Sequence, residues 1–236
     1  MSNASGMPDI QAPPLHLLAL EARVLAEMPW FVLRSLSIQG MPRGDGQPVM
    51  VLPGFGASDL ATLPLRSALR RLGHAAYGWE QGTNFGMRPA VRNALTQRLQ
   101  KLNAEHQSPV SLIGWSLGGV FAREMARHQP QLVRRVFTLG SPINGRPDAN
   151  NMQTLFRLAN RGKPVKIDWE GFRKRCTPPP VPCTAIYSKS DGIVAWQCSM
   201  EDAAPNTECA EVRGSHFGLV VNRQVLRVIA ERLGSV

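Results

Sequence analysis

Val110-Ser111-Leu112-Ile113-Gly114-Trp115-Ser116-Leu117-Gly118-Gly119-Val120-Phe121-Ala122-Arg123-Glu124-Met125-Ala126-Arg127-His128 is the stretch that decides the fold. It opens on an apolar run, Val110 to Ile113, and closes on helix-forming residues, Leu117 to His128. Between them lies Gly114-Trp115-Ser116-Leu117-Gly118, a Gly-x-Ser-x-Gly pattern. Strand, sharp turn and helix follow one another without a linker. Such a turn strains the backbone at the serine and lifts its Oγ clear of the sheet edge. The glycines are expected where strand and helix almost touch, because a Cβ there would clash. The five-residue pattern arises often by chance, so its flanks carry the reading.

The same alternation extends in both directions. Upstream, Val49-Met50-Val51-Leu52 reads as an apolar strand ended by Pro53-Gly54-Phe55-Gly56. A helix over Leu60–Leu72, stopped by Gly73, leads to a short strand, His74–Trp79. Pro89 opens a long amphipathic helix bearing Val91, Leu95, Leu99 and Leu102. Downstream, strands are expected at Val133–Leu139, Thr184–Tyr187 and Glu211–Arg213, and a closing helix at Leu219–Leu233. Strands alternating with helices predict an α/β fold: a mostly parallel sheet of about six strands with helices on both faces. Right-handed crossovers put the strands' carboxyl ends on one edge, where such sheets bind ligands. Phe55, Ser116, Asp191 and His216 all fall at these ends.

Two segments flank or interrupt this pattern. Residues 1–47 read as an N-terminal helical segment packed on the body, and 48–236 as the main domain. In the first, Leu17, Leu20, Val24 and Met28 recur at helical spacing, with Glu21, Arg23 and Glu27 interleaved. Trp30–Ile38 continues apolar after Pro29; only Arg34 is basic there, which favours docking on the domain over a membrane face. Ser2-Asn3-Ala4 reads as a cloning remnant ahead of a native start at Met7. Between about residues 144 and 182 the pattern loosens. Helices at Asn150–Asn160 and Asp168–Arg175 suggest a small helical cap over the strand ends; a plain surface excursion is the alternative.

Composition narrows the function classes. With 236 residues and 43% hydrophobic content the chain can bury a full core. No run of apolar residues is long enough to form a transmembrane segment, and no basic-then-apolar leader opens the chain. Peripheral membrane contact stays open. The net charge of +10 draws anionic partners, yet the arginines are dispersed (Arg66, Arg70, Arg71, Arg92, Arg98, Arg123, Arg127) and read as a solvated surface. No nucleic-acid partner is expected. Cys176, Cys183, Cys198 and Cys209 form no C-x-x-C, and no His pair has metal spacing, so neither a metal nor another cofactor is expected. Bridges pairing Cys198 with Cys209 and Cys176 with Cys183 would suit an exported protein; four free thiols would suit a cytoplasmic one. The sequence does not specify an oligomeric state.

The chemistry centres on Ser116. A serine hydroxyl is a poor nucleophile until a base takes its proton, and histidine has the right pKa. His216 lies in Gly214-Ser215-His216-Phe217-Gly218, a loop expected between the last strand and last helix. His16, His74, His106 and His128 fall on helices, a strand start or a helix end. The imidazole needs a carboxylate to fix its tautomer. Asp191, in Ser188-Lys189-Ser190-Asp191-Gly192, follows a strand; Asp148, Asp168 and Asp202 are weaker alternatives. An Asx turn before Gly192 is the structural role for Asp191, and it is compatible with the chemical one.

The order Ser116, Asp191, His216, with Val51–Gly56, Gly114–Gly119, Leu139–Pro142, Ser190–Val194 and Gly214–Leu219, resembles the α/β-hydrolase superfamily, in particular small lipase- and esterase-like members. The resemblance spans residues 48–233. It implies a Ser116–His216–Asp191 catalytic triad, a nucleophile elbow at Ser116, and an oxyanion hole from the backbone N–H groups of Leu117 and Phe55. A helix N-terminus suits the first of these donors. Pro53-Gly54-Phe55-Gly56 departs from the His-Gly-Gly-Gly loop of lipases. The resemblance further implies hydrolysis of a small-molecule acyl ester through an acyl-enzyme. Acyl transfer to another acceptor, thioester cleavage, and a binding protein that has lost the chemistry share the same residues.

Overall fold

The computed structural model describes residues 10–35, 40–145 and 175–234. An N-terminal arm comes first: α1 (Leu15–Ala19), a 3₁₀ turn (Leu20–Arg23) and α2 (Val24–Ser35). The body follows as β1 (Pro48–Leu52), α3 (Asp59–Arg71), β2 (Ala75–Gly78), α4 (Pro89–His106), β3 (Val110–Trp115) and α5 (Leu117–His128). It ends with β4 (Val133–Leu139), β5 (Cys183–Tyr187), β6 (Thr207–Glu211) and α6 (Arg223–Gly234). Residues 146–174, which include the expected cap helices, Asp148 and Asp168, lie outside the described residues.

All six strands are parallel, in the order β2-β1-β3-β4-β5-β6. β1, β3 and β5 are buried along their whole length, which is why they read as unbroken apolar runs. Successive residues of β1 serve opposite faces. Val49 and Val51 meet α3 and α6 on one side, while Met50 and Leu52 meet α4 and α5 on the other. Leu65 and Leu69 on α3 and Leu95 and Leu99 on α4 are fully buried, each worth roughly 1.5–3 kcal/mol of transfer free energy. After β2 the chain crosses back over β1 to β3 and then proceeds in the other direction. The loops leaving β1 and β3 therefore lie side by side at the switch point, on the sheet edge where such folds bind ligands. No helix among the described residues is long and apolar enough to cross a membrane.

Four expectations change. The last strand is Thr207–Glu211, not Glu211–Arg213; it pairs with β5 from Cys183↔Thr207 to Tyr187↔Glu211. As an edge strand with half-exposed polar residues it gave no apolar run. The closing helix starts at Arg223, not Leu219. Phe217–Val221 forms a 3₁₀ turn, and Asn222 Oδ1 accepts the N–H groups of Gln224 (2.8 Å) and Val225 (3.3 Å), capping the new helix. The arm's expected apolar face is also largely unburied. Leu20 and Met28 are exposed and Glu21 is buried, while Val24 and Phe31 pack on the core. Loop N–H groups would be costly to leave dry and unpaired, and they take the arm's carboxylates instead. Finally, Arg123 is not a surface arginine. Its guanidinium is buried against Glu201 (2.8 Å) and also donates to the carbonyls of Arg175 (2.6 Å) and Cys176 (2.9 Å). It thereby ties α5 to the segment entering β5. Burial pushes the Glu201 carboxyl up, and Arg123 opposes that push.

No disulfide joins Cys176 to Cys183 or Cys198 to Cys209, so of the two alternatives the bridged one is absent here. Cys183 and Cys198 are buried, and burial pushes the Cys183 thiol up to about 12. Replacing Arg123 with Ala leaves the Glu201 charge buried without its partner. Denaturant unfolding should show a loss of about 3–5 kcal/mol, against under about 0.5 for an exposed helix arginine.

Candidate active site

Four loops converge on the carboxyl edge of the sheet: those after β1, β3, β5 and β6. Ser116 sits between β3 and α5 with φ 53° and ψ −122°, a conformation rarely populated by a residue with a side chain. Holding it costs of order 1–3 kcal/mol. Two bonds across the turn maintain it: the Ser116 N–H donates to Leu139 O (2.8 Å) and the Gly119 N–H to Ser116 O (3.0 Å). Glycine makes the turn possible. A Cβ on Gly114 would strike the backbone of Gly118 and Gly119, and one on Gly118 would strike the carbonyl of Leu52. Leu117 heads α5, and an N–H at that position has no carbonyl partner within its own helix.

The loop after β1 lies over the serine. A Cβ on Gly54 would come within 3.2 Å of Ser116 Cβ. Buried Asn84 holds this loop in shape. Its Nδ2 donates to Pro53 O (2.8 Å), its backbone carbonyl accepts the Gly56 N–H (2.8 Å), and its N–H donates to Ala57 O (2.8 Å). The Phe55 ring meets Phe85 edge-on, with centroids 6.3 Å apart.

Asp191 and His216 arrive from the far side, after β5 and β6, and both are buried. His216 Nδ1 lies 2.7 Å from Asp191 Oδ2. Asp191 Oδ1 accepts the N–H groups of Ile193 and Val194, both at 2.8 Å. One oxygen thus closes the Asx turn while the other faces the imidazole. Gly140, at φ 56°, leaves the space for this contact. A Cβ there would stand 2.9 Å from Asp191 Oδ2 and 3.0 Å from His216 Nδ1. The Trp115 indole N–H donates to His216 O (3.1 Å), so the residue before Ser116 fixes the histidine loop, and its ring packs against His216 (5.9 Å). Burial acts to lower the imidazole pKa. The charge and hydrogen bond of Asp191 outweigh it, the negative charge of Glu21 adds to them, and the net displacement is upward.

Ser116, Leu117, Phe55, Asp191 and His216 therefore share one edge of the sheet. Asp202 does not join them: its Oδ1 accepts from Asn144 Nδ2 (2.6 Å) in an exposed setting. Glu21, Asn84 and Trp115 also contribute to the site, although Trp115 occupies a variable position of the Gly-x-Ser-x-Gly pattern and Glu21 the polar side of the arm. Asn84 follows a Gly-Thr in an expected loop, and only its burial sets it apart. Among the described residues no group of three metal-ligating side chains occurs.

No protein-family model and no curated protein sequence matches the chain. Solved structures do match in fold. Bacillus licheniformis lipase BlEst2 in mature form superposes with a TM-score of 0.61 at 16% identity, covering 82% of this chain and 94% of that one. The thioesterase domain from the curacin biosynthetic pathway gives 0.53 at 14% identity, covering 81% and 92%. Mouse alpha/beta hydrolase domain-containing protein 10 gives 0.51 at 16% identity, covering 80% and 89%. The chain has the α/β-hydrolase fold.

Gly140→Ala should part the imidazole from the carboxylate. A low-field proton resonance from His216 Nδ1 is expected in the native protein and should be broadened or lost in the variant, and an unchanged resonance would contradict this role for Gly140.

Proposed function

We propose that the chain is a serine hydrolase that cleaves carboxylic esters through an acyl-enzyme on Ser116. The buried 2.7 Å contact between His216 Nδ1 and Asp191 Oδ2, on the sheet edge that carries the strained Ser116, is the observation that supports this most. The two form a catalytic triad with Ser116, and the turn at Ser116 is its nucleophile elbow. The Asp191 carboxylate holds the proton on Nδ1, which leaves Nε2 as the base.

His216 takes the hydroxyl proton as Ser116 Oγ bonds to the ester carbonyl carbon. Negative charge then develops on the carbonyl oxygen. The Leu117 N–H, at the positive end of α5, and the Phe55 N–H, on the loop braced by Asn84, form the oxyanion hole that stabilises it. The alkoxide leaves with the proton from His216. Water, deprotonated by His216, attacks the acyl-enzyme and releases the acid and free Ser116. Each hole donor is worth about 10²–10³ in rate.

Thioester cleavage is a second reading, favoured by the likeness in fold to a thioesterase domain. It uses the same atoms and differs only in the leaving group. Rates on matched ester and thioester substrates of graded chain length separate the two.

Ser116→Ala should lower turnover of an activated short ester by roughly 10⁴-fold or more, and a fluorophosphonate should add its mass at Ser116 in the native chain alone. Full activity in Ser116→Ala would end the reading. The pH profile gives a second test. The base works only when neutral, so an imidazole pKa raised by Asp191 places the acid limb of kcat/KM above the ordinary histidine range. Asp191→Asn removes that support and leaves burial unopposed by it. The limb should move to lower pH while kcat falls about 10⁴-fold.

A further inference from the structure

The arm places one buried carboxylate between the two loops that carry Asp191 and His216. Glu21, 4% exposed, accepts three backbone N–H groups. Its Oε1 takes those of Gly192 (2.8 Å) and His216 (2.9 Å), and its Oε2 takes that of Phe217 (3.0 Å). Gly192 follows Asp191 directly, so a single side chain is bonded to the acid's loop and to the histidine's own backbone. The contact is close: a Cβ on Gly192 would strike the carbonyl of Leu17 in α1.

Neighbouring arm residues repeat the pattern. Arg23 donates to Ser190 O and Oγ, both at 3.0 Å. Glu27 accepts the N–H (3.2 Å) and the hydroxyl (2.5 Å) of Ser215. Arg23 and Glu27 are themselves paired at 3.2 Å. The arm thus grips residues 190–192 and 215–217 with polar groups, while several of its leucines stay exposed. Apolar docking alone would not need a buried charge, because desolvating a carboxylate is expensive without strong donors around it.

We propose that Glu21 is a positioning residue for the general base, bridging the Asp191 and His216 loops so that carboxylate and imidazole are held in contact before substrate arrives. This rests on the hydrolase reading for its catalytic consequence, but the bridge itself does not. The charge has a second effect. His216 is faced by Asp191 from the loop after β5 and by Glu21 from the arm; one residue further out stand Glu27 at Ser215 and Arg23 at Ser190, paired to each other. Two carboxylates near the ring favour the imidazolium that forms as Ser116 loses its proton.

Glu21→Gln keeps the shape and removes both the charge and one acceptor, setting an amide N–H₂ against a backbone N–H. In the full chain, amide exchange measured peptide by peptide should accelerate about tenfold or more over residues 190–194 and 214–218, with the β3 and β4 peptides unchanged. Reaction of Ser116 with a fluorophosphonate, and kcat on an activated ester, should fall by about 10²-fold while KM stays within about twofold. The acid limb should move to lower pH. Glu21→Asp restores the charge one methylene short and should recover part of the rate and of the limb.

Unchanged exchange in both loops would overturn the bridge whatever the activity. Unchanged kcat with a normally labelled Ser116 would overturn the positioning role and leave the hydrolase reading intact. A native chain that never labels at Ser116 would sink the hydrolase reading, and the exchange data would still decide the bridge. If Glu21→Gln does not fold, Glu21→Asp carries the same measurements, and native rates and native exchange in it would count against the proposal.

Discussion

A carboxylate and an imidazole 2.7 Å apart, each almost wholly shielded from water, set the terms for everything around them. Polar groups so shielded need hydrogen-bond partners, because leaving one buried and unpaired is costly. The surrounding backbone supplies them. Asp191 receives two N–H groups from its own turn, and the histidine loop receives three restraints: Glu21 on its backbone N–H, Trp115 on its carbonyl, and Glu27 on the adjacent serine. Gly140 has no side chain, so nothing wedges the pair apart.

The strained turn at Ser116 is the counterpart on the opposite wall. Its left-handed backbone persists because β3, α5 and the loop after β1 touch one another through glycine. The Leu139 carbonyl and the Ser141 hydroxyl, which reaches toward Gly114 O at 3.4 Å, fill what space the glycines leave. Strain is tolerable at one residue when the packing on each side has no alternative arrangement. The site is thus built from two halves, one held by the glycine contacts around Ser116 and one clamped by the arm.

Much of the architecture was readable in the chain. Val49–Leu52 and Val110–Ile113 are apolar enough to show burial on both faces, and Gly114 and Gly118 mark the close approach of strand and helix. Asp191 and His216 stood out because each falls just past a strand in a short polar loop. The misplacements share a cause. β6 is a half-exposed edge with little apolar signal, and the start of α6 was set by the Asn222 side chain and not by hydrophobic period. The leucines of the arm suggest apolar docking, whereas its contacts with the site run from carboxylate to backbone amide.

Local pattern determined the order of strands and helices, the sharp turn at Ser116 and the types of residue at the strand ends, because each depends on neighbours a few positions away. Folding in three dimensions decided the rest. Glu21 meets residues more than 170 positions along the chain, Arg123 meets Glu201 inside the protein, and Asn84 closes over Pro53. In a linear chain these look like ordinary polar side chains on a helix or a loop. What makes them matter is removal from water next to unpaired donors and acceptors, a circumstance that exists only once distant segments have packed together.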